Sequence, residues 1–302
     1  SSDEQMDRFT VGNDRQLDQV LAKYDLIASR AHAEMLGKIG ILDSKETSSI
    51  LEELDRMLQE AEKGNFPIDP PFEDMHSKIE FELTQRVGEA GKKIHTARSR
   101  NDQVLVALQL YLKDELRGFQ QQVQNLFDLL LQLADTHKEV MLPGYTHLQI
   151  AMPSSFGLWF SAYAESFVDD VHLLHAAFKV ADQNPLGSAA GYGSSFPIDR
   201  GLTTSIMGFH TQKFNVVAAQ MGRGKVERTT AMAMASVAGT LGKMAMDICL
   251  YLSQNFGFIS FPEELTTGSS IMPHKKNPDL FELIRAKCNV IQGLPNQLSL
   301  LT

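Results

Sequence analysis

Two hydroxyls, two lysines and an asparagine fall within one short run, Gly268-Ser269-Ser270-Ile271-Met272-Pro273-His274-Lys275-Lys276-Asn277-Pro278-Asp279. Gly268 and the paired serines favour a mobile loop over a helix or strand. Pro273 keeps Met272 out of the α region. Asn277-Pro278-Asp279 then reads as a helix start, with Asn at the N-cap, Pro at the first helical position and a carboxylate in the first turn. Such a terminus offers unpaired backbone N–H groups and the positive end of the helix dipole. The run is therefore expected to close over an anion, with Lys275 and Lys276 either serving that anion or forming a solvated pair.

A second polar run is His95-Thr96-Ala97-Arg98-Ser99-Arg100-Asn101-Asp102. Arg98 and Arg100 are either surface charges or, as Arg-Ser-Arg-Asn, a fork of donors that fits a carboxylate. His147 follows Thr146 in the break Pro143–Gln149. It is either a general acid at a helix end or a structural or exposed histidine. His76 lies near a predicted helix start, where simple solvation is an alternative to a role in chemistry. His172 and His175 stand one helical turn apart and are read as rim histidines, so no metal site is expected. The chain lacks a phosphate loop, a nucleophile elbow and an H-E-x-x-H pair.

Helices must position these groups. Leu17, Leu21, Tyr24, Ala28, Ala31 and Met35 step by three and four from about Asp14, and Gly37 or Gly40 ends the stripe. Asp43 or Ser44 can cap a second helix that closes at Gly64. A short helix over Asp74–Val87 carries His76. The longest stripe runs Leu105, Leu108, Leu112, Leu116, Phe119, Val123, Leu126, Leu130, Leu133, His137, roughly 35 residues or about 50 Å of helix. Such a seam calls for other long helices beside it. Two are predicted, from about Pro153 to Asp182 and from about Lys225 to Asn255, the latter buried nearly all round because it is rich in Ala and Met. No stretch shows convincing strand alternation. The fold class expected is all-α, a long-helix bundle, with a small helical domain over 1–95 and the bundle over 96–302. The stripe that begins at Pro278 is still running at Leu300-Leu301-Thr302, which reads as a fragment whose C-terminal domain lies beyond.

The 302 residues carry a net charge of −9, which argues against non-specific binding to nucleic acid or anionic membrane. Cys249 and Cys288 are too few for a disulfide framework, so a reducing, cytoplasmic setting is expected. No apolar run reads as a membrane span, and Ser1–Thr10 is not a targeting peptide.

Gly268–Asn277 resembles the G-S-S-x-M-P-x-K-x-N signature of the fumarase/aspartase superfamily. Within it, His95–Gln103, Gly144–Gln149, Pro185–Ser188 with Pro197–Arg200, and Lys275–Asp279 are similar to the argininosuccinate lyase family, and the likeness spans nearly the whole chain from about Asp14. The resemblance implies a mostly helical fold whose long helices form the core of a homotetramer with active sites shared between subunits. It implies no cofactor, and β-elimination of argininosuccinate to arginine and fumarate. By the same resemblance, Ser269 is the catalytic base, while Lys275 and Asn277 hold the substrate carboxylate. His147 is the general acid, paired with Glu282. Thr146, Ser99, Arg100 and Asn101 contact substrate, and His76 matches a further site of the family. Gly222-Arg223-Gly224 departs from the usual Ser-Asp-Arg-Asp, with Arg223 standing for the substrate arginine; Ile150 and Met152 replace polar residues. Two alternatives remain. Adenylosuccinate lyases share the serine loop, although the Ser-Arg-Asn-Asp run argues against them. An inactive, structural δ-crystallin-like protein is the other.

Overall fold

Side-chain caps and apolar stripes set the first three helices. In the computed structural model, which describes residues 12–268, 270–272 and 274–301, α1 (Asp14–Lys38) is followed by α2 (Ser44–Glu62) and α3 (Met75–Val87). Asp43 and Glu46 form a reciprocal box at the start of α2: each carboxylate accepts from the other's backbone N–H, at 2.8 and 3.0 Å. Asp74 caps α3 by accepting from the Ser77 N–H at 2.7 Å. A 37-residue helix, α4 (Arg100–Thr136), follows. At 1.5 Å per residue it is about 55 Å long.

After α4 the chain turns into a hairpin, β1 (Met141–Thr146) with β2 (Gln149–Ser155), antiparallel, with an irregularity between Gly144 and Tyr145. It leads into α5 (Phe156–Ala181). Two short parallel pieces, β3 (Gln183–Asn184) and β4 (Thr211–Gln212), flank α6 (Arg200–Ile206), and α7 (Val216–Met221) precedes α8 (Lys225–Leu252) and α9 (Asp279–Leu301). The architecture is helical, as expected, but the hairpin is a correction. The sequence placed a helix start at Pro153. In the structure Pro153 pairs with Pro143 across two edge strands, where a missing N–H is tolerated.

The chain divides into two compact units, Ser1–Asp114 with Lys179–Arg223 and Glu115–Phe178 with Gly224–Thr302. The expected boundary at residue 95 falls inside the first. In that unit Leu26, Met35, Ile50, Leu54, Met57 and Leu83 are essentially unexposed and form one core. His32 lies beside them, with Nε2 donating to the Thr96 carbonyl at 2.9 Å. Burial, reinforced by the charge of Arg98, pushes its pKa down to about 3.

In the second unit, buried Asp170 and half-buried Asp247 join α5 to α8. Asp170 accepts from the hydroxyls of Ser236 at 2.5 Å and Thr240 at 2.7 Å. Asp247 accepts from Trp159 Nε1 at 3.0 Å and the Tyr163 hydroxyl at 2.6 Å. Burial and that carboxylate hold the Tyr163 phenol far above its usual range. Helix α8 packs along α9 but is not buried all round. Met232 stays 51% and Met246 38% exposed, because the elements of its own unit cover only part of its circumference. Among the described residues α8 alone is long and apolar enough to cross a membrane by length and composition. That qualifies the expectation of no such span, although Lys243 and Asp247 interrupt its apolar surface.

Two measurements test this description. The unfolded chain takes up a proton at His32 below pH 6.5 that the folded chain refuses until about pH 3. Stability is therefore present above 6.5 and falls as pH drops through that window, by about 2 kcal/mol at about pH 5. Urea titrations should show His32→Gln, which keeps a donor for Thr96, with a shallower loss. At the hairpin tip, His147 and Leu148 hold φ of 52° and 60°. Left-handed backbone costs an L residue roughly 1–2 kcal/mol. Leu148, 75% exposed, leaves little packing to lose, so Leu148→Gly should stabilise the fold by about 1 kcal/mol, read as a raised thermal midpoint.

Candidate active site

The serine–lysine run lies in the long connection between α8 and α9. Its two ends are fastened together: Thr267 and Asn277 form an antiparallel bridge, with N–H···O distances of 3.2 and 2.9 Å. Thr267 Oγ1 also donates to the Asp279 carboxylate at 2.5 Å. Asn277 is thus a strand-like partner of Thr267 rather than the helix cap that its Asn-Pro-Asp context suggested, and α9 begins at Asp279. A partner ten residues back in sequence outcompetes local capping.

Between the run and the C-terminal end of α8 lies a cleft of about 480 Å³. Cys249, Ser253 and Gln254 line one side; His274, Lys275, Lys276, Asn277 and Glu282 line the other. The two lysines are not equivalent. Lys276 is paired with Glu263 at 3.0 Å. The Lys275 ammonium has no hydrogen-bond or ion-pair partner among the described residues. It is the cation available to an incoming anion. Burial first, and the Glu282 charge second, push the Cys249 thiol up, so it is no nucleophile. Ser269 lies outside the described residues.

Thr146 and His147 sit at the end of the hairpin, exposed, with His147 in the two-residue turn rather than at a helix end. The hairpin is held by Tyr145, whose ring packs 5.6 Å from Phe256 and 6.3 Å from Phe258, just beyond α8. His147 does not line the cleft, and among the described residues it makes no hydrogen bond to Glu282.

The remaining expected residues belong to the first unit. Arg100, in the first turn of α4, donates Nη2 to Ser77 Oγ at 2.9 Å and pairs Nη1 with Asp74 at 3.2 Å. It stays 57% exposed by side chain. Asn101 N–H contacts Ser99 Oγ at 3.3 Å. Arg223 follows α7 and is exposed, its N–H bonded to the Gln220 carbonyl at 3.2 Å. His76 is not solvated: it is buried, with Nδ1 3.0 Å from the Asp25 carboxylate. Burial lowers its pKa, but the charge and hydrogen bond of Asp25, with Asp74 behind, outweigh that and leave it raised. Arg98 is a correction to the two-arginine fork. It is buried, with Nη1 donating to Ser29 Oγ at 2.9 Å.

Asp102 was not singled out from the sequence. It is fully buried and accepts from the N–H groups of Ser99 at 2.9 Å, Gly187 at 3.1 Å and Ala189 at 2.9 Å. The signal was present: Ser99-x-x-Asp102 is a capping-box spacing. The run His95–Asp102 and the Gly187–Ser188 segment, read apart in the sequence, meet at this carboxylate. Among the described residues no three His, Cys, Asp or Glu side chains gather as a metal group.

The profile of the lyase family matches residues 1–293. The argininosuccinate lyase of Phocaeicola vulgatus is 58% identical over 298 residues, covering 99% of this chain and 67% of its own. That of Parabacteroides distasonis is 56% identical over 300 residues, covering 99% and 67%. The chain therefore spans about two thirds of these relatives' length. Among solved structures, an EDDS lyase variant with bound fumarate superposes with a TM-score of 0.83 at 25% identity, covering 97% of this chain and 58% of that one. With that identity sustained from end to end, the chain belongs to the argininosuccinate lyase family.

Proposed function

We propose that the chain forms the catalytic part of an argininosuccinate lyase, cleaving argininosuccinate to arginine and fumarate without a cofactor. The observation that carries this reading is the unpartnered Lys275 in a cleft shared with Asn277 and Glu282. The proton to be removed lies next to a carboxylate and is weakly acidic. Taking it off builds a dianionic aci-carboxylate, which needs fixed positive charge and donors at both oxygens. Lys275 supplies the charge and the Asn277 side chain a donor. Ser269 takes the proton; a serine serves as base only where cations stabilise its alkoxide, a task this scheme gives to Lys275. The guanidino nitrogen that departs needs a proton, given by His147 with Glu282 as its carboxylate partner. Thr146, Ser99, Arg100, Asn101, His76 and Arg223 hold the substrate. The fumarate bound by the EDDS lyase variant is the product this scheme calls for.

Exposed apolar surface supports an assembly of several copies. Leu129, Leu131, Val168, Leu173, Leu283 and Val290 on α4, α5 and α9 are 43–67% exposed. Patches of this kind mark association surfaces. We infer a homotetramer in which helices of several copies bury them and each active site draws residues from more than one copy. The two free cysteines fit a cytoplasmic enzyme.

Fumarate release, followed by ultraviolet absorbance, tests the scheme. Ser269→Ala should abolish turnover of argininosuccinate while light scattering still reports a tetramer; near-wild-type turnover removes serine as the base. Lys275→Met should cost about 10²–10³-fold in kcat, the usual effect of losing one oxyanion donor. Lys276→Met, whose charge Glu263 already balances, should stay within about threefold.

A further inference from the structure

Of three buried charged groups in the first unit, only His76 has a direct place in the proposed chemistry. Asp25 is fully buried, His76 is 6% exposed and Arg98 is 9% exposed. They come from separate elements: the middle of α1, the first turn of α3 and the loop before α4. Asp25 Oδ2 lies 3.0 Å from His76 Nδ1. An ionised carboxylate only accepts, so Nδ1 carries the proton whatever the charge of the ring. The other end of the imidazole, Nε2, is buried and has no partner among the described residues. Arg98 is held to α1 through Ser29, and its charge lies in the field of Asp25 and Asp102. A buried carboxylate needs such a counter-charge, since an imidazole alone balances it poorly.

The groups on either side of His76 are the ones that hold Arg100, namely Asp74 and Ser77. Arg98 itself lies two residues before Arg100. Asp25 therefore sets the histidine, while Arg98, bonded to Ser29 on the same helix, ties the segment that carries Ser99, Arg100 and Asn101 to α1. We propose that Asp25 is a positioning residue for the reaction: it holds His76 with Nδ1 protonated and Nε2 as the free end. This rests on the reading of His76 and Arg100 as substrate-binding groups.

The test combines kinetics with a measurement that needs no turnover. Asp25→Asn should raise KM for argininosuccinate about tenfold with kcat within about threefold, as for lost substrate binding. In a His76→Asn background the same change should cost less than about twofold in KM, because its effect passes through the histidine. Equal losses in both backgrounds, or an unchanged KM in the single variant, overturn the proposal. In the wild-type protein, the spectrum of ¹⁵N-labelled histidine, assigned with His76→Asn, should show His76 protonated at Nδ1 at neutral pH. A bare Nδ1 overturns the proposal even if Asp25→Asn does not fold. An inactive wild type that keeps the Nδ1 proton instead marks failure of the lyase reading.

Discussion

A single buried carboxylate, Asp102, decides how the first unit is wired. It is fully buried, so its charge must be answered by fixed donors. It gathers three backbone N–H groups, one from the turn that starts α4 and two from the Gly187–Ala189 segment. That demand fixes the first turn of the longest helix. It also fixes backbone that is otherwise unfavourable. Gly187 holds φ of 94° with the Arg200 side chain so near that an added Cβ would stand 2.8 Å from its Cδ. Ala189 holds φ of 51° without being glycine. Arg200 in turn donates Nε to the Leu186 carbonyl at 2.8 Å. Side chains proposed to meet substrate thus stand on a frame whose geometry is set by charge burial as much as by apolar packing.

The helices were legible because each buries one face, and a one-faced helix writes its period into the chain. Their starts were legible where the cap is local, as at Asp43 and Asp74. What failed was long-range. The hairpin was invisible because most of β2 is exposed and carries Ile150 and Met152 where alternation would place polar residues. Its turn also lacks the Asn-Gly signal. Arg98 looked like half of a recognition fork; only its contact with Ser29, far back on α1, shows it to be interior. Asn277 looked like a cap until Thr267 claimed its backbone. The Ala- and Met-rich composition of α8 suggested complete burial, but composition reports how well a surface can be covered, not whether the same chain covers it.

The candidate site shows the same division. Which residue types gather in the serine–lysine run was readable from the chain. Which of two adjacent lysines stays uncommitted was not, because that depends on Glu263 approaching Lys276. Nor did spacing disclose that the expected substrate groups divide between two units, with His76, Ser99, Arg100, Asn101 and Arg223 in one and Thr146, His147, Lys275, Asn277 and Glu282 in the other.

The strained tip of the hairpin bears on what its pairing depends on. Tight hairpins usually begin at the turn, where a favourable two-residue link zips the strands outward. His147 and Leu148 make that start uphill, so pairing is driven from elsewhere. The available force is Tyr145 on Phe256 and Phe258, which lie beyond the end of α8. The segment bearing Thr146 and His147 is therefore coupled to the turn after α8, far along the chain. Loosening the aromatic cluster beyond α8 would thus be felt at the hairpin tip, although no bond of the tip itself is touched.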